Sequence, residues 1–132
     1  TSQKLKGEYR IEYNTEITNN KNVKATLNRI ENKYDGVLGE YKEVVFEVVN
    51  RNDYAIEVQA HNIYADGKRI NQGSGIMSQE IHPGKKEECI LTIQSYETSE
   101  LSPIEKKIEL DLHIFSWDHD DFSEDYPVEI KL

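Results

Sequence analysis

The chain is poor in cysteine, in basic residues and in long apolar runs, and each shortage excludes a class of protein. Cys89 is the only cysteine among 132 residues, so no disulfide can form within the chain and its stability must come from the core. Lysine and arginine number 16 against 25 acidic residues, a net charge of −9. This balance argues against nucleic acid as a partner and against docking on anionic lipid. No apolar run approaches the roughly 20 residues that span a bilayer, so we expect no direct membrane insertion.

Motifs for catalysis and for cofactor binding are also lacking. Gly73-Ser74-Gly75 does not fit the nucleophile elbow Gly-x-Ser-x-Gly, and no glycine-rich run that would hold phosphates is present. Cys89 lies in an alternating apolar segment, which predicts a buried and unreactive core thiol. The histidines show no metal-ligand spacing such as His-x-x-x-His: His61, His82, His113 and His119. We therefore expect neither an enzyme nor a cofactor.

What the sequence contains is apolar residues at every second position, the pattern typical of β-strands. Ile108, Leu110, Leu112 and Ile114 form a long series of this kind. Val44, Phe46 and Val48 lie on one face of another segment, with Val45 and Val49 on its other face, which predicts a central strand. The pattern predicts a core that includes Phe46, Val48, Ile56, Val58, Leu91, Leu110 and Leu112.

Turn signals separate these segments. Asp66-Gly67 predicts a tight hairpin, and His82-Pro83-Gly84-Lys85 predicts a turn with proline set before glycine. Pro127 predicts an edge strand at the end of the chain. The spacing of strands and turns predicts one domain over residues 1–132, an antiparallel β-sandwich of seven to nine strands. We expect residues 1–7 to be a disordered stub and residues 95–102 to hold the only helical turn.

Acidic residues are concentrated between Trp117 and Asp125, and this segment is the clearest functional signal. Five carboxylates lie within eight positions: Asp118, Asp120, Asp121, Glu124 and Asp125. Calcium binds several carboxylate and carbonyl oxygens, so these five are candidate calcium ligands. However, Phe122 and Ser123 stand where a helix–loop–helix calcium loop needs a ligand and a glycine. We therefore favour a solvated loop without metal.

Aromatic side chains bracket the acidic segment and suggest a recognition surface. Trp117 and Phe122, together with Asp118 and Asp120, are candidate interaction residues, because aromatic rings give large rigid contact areas. The alternative is that Trp117 plugs one end of the sandwich. The sequence leaves both interpretations open.

The segment Val45-Phe46-Glu47-Val48-Val49-Asn50-Arg51-Asn52-Asp53 resembles a known type of module, as do Ile56-Glu57-Val58 and Asp66-Gly67 after it. Pro83-Gly84-Lys85-Lys86, Phe115-Ser116-Trp117-Asp118 and Pro127-Val128-Glu129-Ile130 extend the likeness to about two-thirds of the chain. The chain resembles the immunoglobulin-like modules of unknown function in surface lipoproteins and membrane-anchored proteins of Gram-positive bacteria. The resemblance implies an immunoglobulin-like sandwich outside the cytoplasmic membrane, and it implies no catalytic residues.

These observations lead to one functional expectation and to several alternatives. We expect a monomeric, non-catalytic, extracytoplasmic domain that is secreted or anchored to the cell surface and binds a protein or a surface polymer. Because the chain begins at Thr1, we expect its signal or anchor to lie upstream. A calcium-dependent adhesin or carbohydrate-binding module is the main alternative, drawing on Trp117 and residues 118–125. A hydrolase that uses scattered carboxylates and an intracellular accessory or inhibitor protein remain open.

Overall fold

A computed structural model describes residues 8–35, 39–70, 75–94, 104 and 106–132. All regular secondary structure in these ranges is β-strand. The strands are β1 (Tyr9–Asn19), β2 (Val23–Asp35), β3 (Gly39–Asn50), β4 (Ile56–Ala65), β5 (Lys68–Arg69), β6 (Gly75–Ile76), β7 (Ser78–Ile81), β8 (Lys86–Gln94), β9 (Lys107–Phe115) and β10 (Ser123–Lys131).

These strands form two antiparallel sheets that face each other. The first has the order β1-β2-β3-β8-β6, and the second has the order β10-β9-β4-β5, with β7 also paired to β4. Only Met77 separates β6 from β7, yet they pair with different sheets, so the chain crosses between the sheets there. The predicted antiparallel β-sandwich is confirmed. The described ranges hold more strands than the seven to nine predicted because β5 and β6 are segments of two residues.

Alternating residues of both sheets build one core between them. Along β9 every second side chain is buried, from Ile108 to Ile114, and the residues between are partly exposed. The core positions predicted from the sequence are all buried, which confirms the facing assignment: Phe46, Val48, Ile56, Val58, Leu91, Leu110 and Leu112. The period-two pattern of the sequence is therefore the pattern of burial.

Strand β3 is central, as its apolar character on both faces predicts. It lies between β2 and β8 in the first sheet, and both Val44 and Val45 are fully buried. Val44 belongs to the core cluster and Val45 does not. In the ladder Val45 is opposite Arg29 on one side and Ile90 on the other. Val45 is therefore buried on the outer face of the sheet, between the side chains of Arg29 and Ile90.

Both predicted turns are present, and their backbone angles explain their residues. Asp66 and Gly67 have φ angles of 51° and 85°, so the hairpin that joins β4 to β5 has positive φ at both central positions, where Asp-Gly is favoured. Gly84 has a φ of 72°, and the Lys85 N–H donates to the His82 carbonyl at 3.1 Å. A side chain would be strained at either glycine.

Strand β10 is the edge of the second sheet and contains Pro127, as predicted. An edge strand tolerates proline, because the backbone groups on its open side have no partner strand. The described ranges contain no helix that could cross a membrane. The predicted stub at residues 1–7 and the predicted helical turn at residues 95–102 lie outside the described residues.

Candidate functional site

The acidic loop between β9 and β10 is held by hydrogen bonds at its base. Ser116 is buried, and its Oγ accepts the backbone N–H groups of Asp118 at 3.1 Å and His119 at 3.2 Å. The Phe122 N–H donates to the His119 carbonyl at 3.0 Å, and the Ser116 N–H donates to the Phe122 carbonyl at 3.3 Å. The loop is thus a closed turn whose exposed acidic side chains, from Asp118 to Asp121, lie at its rim.

Phe122 fills this end of the sandwich, so its assignment to an interaction surface is wrong. Its side chain is 6% exposed and belongs to the core cluster. It lies edge-on to Tyr54 with ring centroids 6.1 Å apart. The physical reason is that the loop folds back at Phe122, which places the ring over the core just before β10 begins.

Trp117 lies outside the sandwich, and the interpretation that it plugs the end is wrong. It is 71% exposed. The alternation along β9 continues for two residues past the strand, so Ser116 faces inward and Trp117 faces outward with Phe115 and His113. The outward position of Trp117 follows from the alternation in the sequence. That Phe122 fills the end of the core does not, because its position depends on how the loop turns.

A hydrogen-bonded carboxylate holds the Trp117 indole against the second sheet. The indole Nε1–H donates to Glu57 Oε1 at 2.7 Å. Glu57 Oε2 accepts from Ser78 Oγ at 2.6 Å and from Gln59 Nε2 at 2.8 Å. The hydrogen bond from Ser78, followed by those from Trp117 and Gln59, lowers the pKa of Glu57, although partial burial opposes this. Glu57 is therefore charged at neutral pH, and three donors fix its orientation.

Four rings form a continuous row on the outer face of the second sheet, which we call the aromatic row: His61, His113, Phe115 and Trp117. The centroids of His61 and His113 are 4.9 Å apart, and Phe115 stacks on His113 at 4.8 Å. Trp117 meets Phe115 at 4.9 Å with the ring planes at 78°. The row therefore ends in an exposed indole set across the stack.

Carboxylates and amides flank the aromatic row in register. Asp125 is opposite His113 in the ladder, and its Oδ1 lies 2.7 Å from His113 Nδ1. Beyond His61 a shallow groove continues down the same face, and the Asn62 Nδ2 donates to Asp111 at 2.8 Å there. The groove lies between Asn62, Tyr64, Glu109, Asp111, Pro127 and Glu129. Sequence reasoning missed this groove and His61, because neighbours across the strands cannot be read from one strand alone.

The structure separates the five candidate calcium ligands. Asp118, Asp120 and Asp121 are exposed on the loop, whereas Asp125 pairs with His113 on the outer face. Glu124 accepts hydrogen bonds from the Tyr126 hydroxyl and from Asn20 Nδ2, the latter at 3.4 Å. They separate because β10 begins at Ser123, and a strand turns successive side chains to opposite faces. Among the described residues no three acidic, histidine or cysteine side chains are grouped to hold a metal ion.

Calcium should therefore have no specific effect on stability. We expect the melting temperature in chelator to equal that in millimolar calcium at matched ionic strength, with magnesium as the control. An ion that bound only the native state at one hundred times its dissociation constant would stabilise it by about 2.7 kcal/mol. A calcium-specific rise in melting temperature that Asp120→Ala abolishes would contradict this expectation.

Negative charge is nonetheless concentrated at this end of the molecule. Burial, followed by the charges of Asp121, Asp53 and Glu124, raises the pKa of Tyr54. The Tyr54 ring also stacks on His119 with centroids 3.9 Å apart. The loop thus combines a packed base with an uncompensated negative rim, and no ion pair neutralises the carboxylates of residues 118–121 within the described ranges.

Two buried polar or reactive groups lie away from this face. Cys89 is fully buried, and burial raises the pKa of its thiol to about 12, which confirms the predicted unreactive core cysteine. Near the opposite end of the core, the Lys42 Nζ donates to the Tyr9 hydroxyl at 2.7 Å and to Asn32 Oδ1 at 2.8 Å. Sequence reasoning missed this cluster, because these residues come from three different strands.

Comparison with known proteins gives distant matches among solved structures and no family. No protein-family model matches the chain, and no curated protein matches it. A FixG-related protein from Vibrio parahaemolyticus is 7% identical, with 83% of this chain and 94% of that chain covered and a TM-score of 0.43. An uncharacterised β-sandwich protein from Clostridium difficile 630 is 14% identical, with 98% and 99% covered and a TM-score of 0.45. Neither likeness bears on ligand or activity.

Proposed function

We propose that the protein is a non-catalytic binding domain whose binding surface is the outer face of the second sheet. The observation that carries the proposal is the position of Trp117, 71% exposed yet fixed by its hydrogen bond to Glu57. A large exposed ring costs solvation free energy, and in a binding surface contact with a ligand recovers it. Tryptophan is also the residue type most enriched among residues that dominate binding energy.

The fixed orientation of Trp117 supports the same conclusion. An indole that is already ordered loses little side-chain entropy when a ligand covers it. Ser78 and Gln59 hold Glu57, Glu57 holds the indole Nε1–H, and Phe115 packs against the ring. The surface is therefore preorganised, and the remaining aromatic row extends it along the sheet.

The ligand is a protein or a surface polymer, and the domain is a monomer outside the cytoplasmic membrane, secreted or anchored to the cell surface. The location is supported by the resemblance to the immunoglobulin-like modules of Gram-positive surface lipoproteins. The non-catalytic assignment is supported by Cys89, the chain's one thiol, which is buried and protonated. A carbohydrate-binding module is a second candidate, because an exposed indole face also stacks well against a sugar ring.

The test uses Trp117 as its own reporter, since it is the only tryptophan in the chain. We expect at least one member of a panel of macromolecules to change its fluorescence on titration. The panel consists of a lysine-rich peptide, a glutamate-rich peptide, chitohexaose, a β-glucan oligosaccharide and purified peptidoglycan. Calorimetry with Trp117→Ala should then show a loss of affinity of about tenfold or more, the scale of a dominant contact.

The matched control is Tyr34→Ala, which removes an aromatic side chain that is 59% exposed on the first sheet. This variant should bind like the wild type. The proposed binding surface would be contradicted if no ligand of the panel changed the fluorescence of Trp117. It would also be contradicted if Trp117→Ala and Tyr34→Ala lost affinity equally.

A further inference from the structure

We infer that the ligand of this surface is an extended peptide segment carrying lysine or arginine at alternate positions. This inference rests on the proposed binding function and adds the chemistry of the ligand. Three properties of the second sheet lead to it: the length of the surface, the sign of its charge and the end position of Trp117.

The aromatic row and the groove together form a long surface, which suits a polymer rather than a small molecule. It follows β9 from Trp117 past His113 to the groove beside Glu109. At about 3.4 Å per residue, these eight residue steps span about 27 Å. An extended peptide of about eight residues has the same length. Outward side chains recur every second residue on both, so a peptide laid along the row would present its alternate side chains to successive rows of the sheet.

The charge of the surface is negative over the half nearest Trp117. In the ladder, Glu80 and Glu57 lie in register with Phe115, Asp125 is opposite His113, and Asp111 is opposite His61. The outward positions of these three rows hold four carboxylates and no lysine or arginine. Cations begin beyond this half of the surface. Arg69 is opposite Tyr64 in the ladder, with its guanidinium 5.9 Å from the centre of the Tyr64 ring. Lys107, at the far end of β9, is 3.7 Å from Glu109 and 3.5 Å from Glu129.

Trp117 supplies the contact that distinguishes a cationic side chain from other partners. An ammonium or guanidinium group is attracted to the face of an aromatic ring, and indole is the strongest of the three ring types. Asp118 directly follows Trp117 in the sequence and Asp120 lies three residues after it. Both are exposed, so both add negative charge at this end of the surface. Glu57 keeps the ring in place, so the site combines an ordered π-face with complementary charge.

The probe is a fluorescein-labelled octapeptide in which lysine alternates with serine, measured by fluorescence anisotropy. The comparison ligands are the glutamate–serine octapeptide and chitohexaose. We expect the lysine peptide to bind to the wild type. Its affinity should fall several-fold when sodium chloride rises from about 50 to 200 mM, because screening weakens exposed charge pairs. Its affinity for Trp117→Ala should be lower by about tenfold or more. The glutamate peptide should not bind.

Two matched double variants separate local charge from net charge. Asp111→Asn with Asp125→Asn neutralises two acids on the surface and keeps acceptors for Asn62 and His113. Glu47→Gln with Glu88→Gln removes the same charge from the first sheet, where those residues pair with Lys86 and Arg29. We expect the first variant to weaken peptide binding several-fold and the second to leave it within twofold. Circular dichroism checks that both variants are folded.

The outcomes distinguish failure of this inference from failure of the proposed function. Equal binding of the lysine peptide by wild type and Trp117→Ala, or equal losses in both double variants, would overturn the inference in favour of bulk charge. No binding of the lysine peptide would overturn it as well. Binding of chitohexaose that depends on Trp117, without binding of the peptide, would overturn the inference and leave the proposed binding surface standing with a carbohydrate ligand.

Discussion

Replacing Phe46 with alanine should lower the free energy of unfolding by about 3–5 kcal/mol. Phe46, on the central strand β3, is the largest fully buried side chain among the residues that the structure describes. It faces the second sheet and lies in register with Leu27 on β2 and Cys89 on β8. The neighbouring strands on both sides are fixed in ladders, so the core cannot collapse into the space that the phenyl ring leaves. The free-energy cost of this cavity adds to that of the lost apolar burial. The total free energy of unfolding of a domain of this size is about 5–15 kcal/mol, so this single loss is a large part of it.

Urea denaturation followed by circular dichroism measures this loss. The matched control is Ile90→Ala on the adjacent strand β8, where Ile90 is 39% exposed on the outer face and the loss should be about 1 kcal/mol or less. If Phe46→Ala does not fold, Phe46→Leu should remain folded and lose about 1–2 kcal/mol. Equal losses for Phe46→Ala and Ile90→Ala would contradict the assignment of the inner face.

Replacing Asn50 with leucine should cost roughly 3 kcal/mol or more, because several buried polar groups lose their partners at once. Asn50 is fully buried at the end of β3. Its Nδ2 donates to the carbonyls of Tyr54 at 2.8 Å, Ile81 at 3.0 Å and His82 at 3.3 Å. Its Oδ1 accepts the backbone N–H of Asn52 at 2.9 Å. One side chain thus joins the loop after β3 to the turn before β8.

Asn50→Asp separates the two halves of this amide. It keeps the acceptor for Asn52 but replaces the donor by an oxygen that faces carbonyl oxygens, so it should also be strongly destabilised near neutral pH. The control is Asn19→Ala, an exposed asparagine on β1 whose side chain hydrogen-bonds Glu16 and Arg51 at the surface. Because water replaces exposed hydrogen bonds, this variant should lose no more than about 1 kcal/mol. If thermal melts give Asn50→Leu the same melting temperature as this control, the buried amide does not hold the two segments together.

The two residues that bracket the acidic segment show how far sequence reasoning reaches. The alternation from Ile108 to Ile114 already assigns Trp117 to the outer face, because the period of two is a property of the strand backbone. It does not reveal that Phe122 fills the end of the core. That position depends on the closure of the loop by Ser116, and on Tyr54 from another loop. Sequence reasoning therefore left both interpretations of Trp117 open and assigned Phe122 to a surface on which it does not lie.

The proposed binding surface shows the same division. His113 and Phe115 lie on the outer face because they alternate with the buried residues of their own strand. His61 and Glu57 reach them from β4, and Asp125 reaches them from β10. The distances between these side chains depend on the order and register of β4, β9 and β10, which are established only when the sheet forms. The same holds for Glu124 and Asp125, which are adjacent in sequence and lie on opposite faces of β10.

The sequence by itself determined the class of fold, the core positions on the alternating strands, the tight turns at Asp66-Gly67 and Gly84 and the burial of Cys89. These follow from local rules, since side-chain alternation, φ preference and the burial of apolar area act within a few residues. Only the tertiary structure decided that Phe122 fills the end of the core, that Glu57 fixes Trp117, that Asn50 joins two distant segments and that the carboxylates do not converge. Each of these is a contact between residues far apart in the chain, and its geometry exists only after the two sheets have paired and packed.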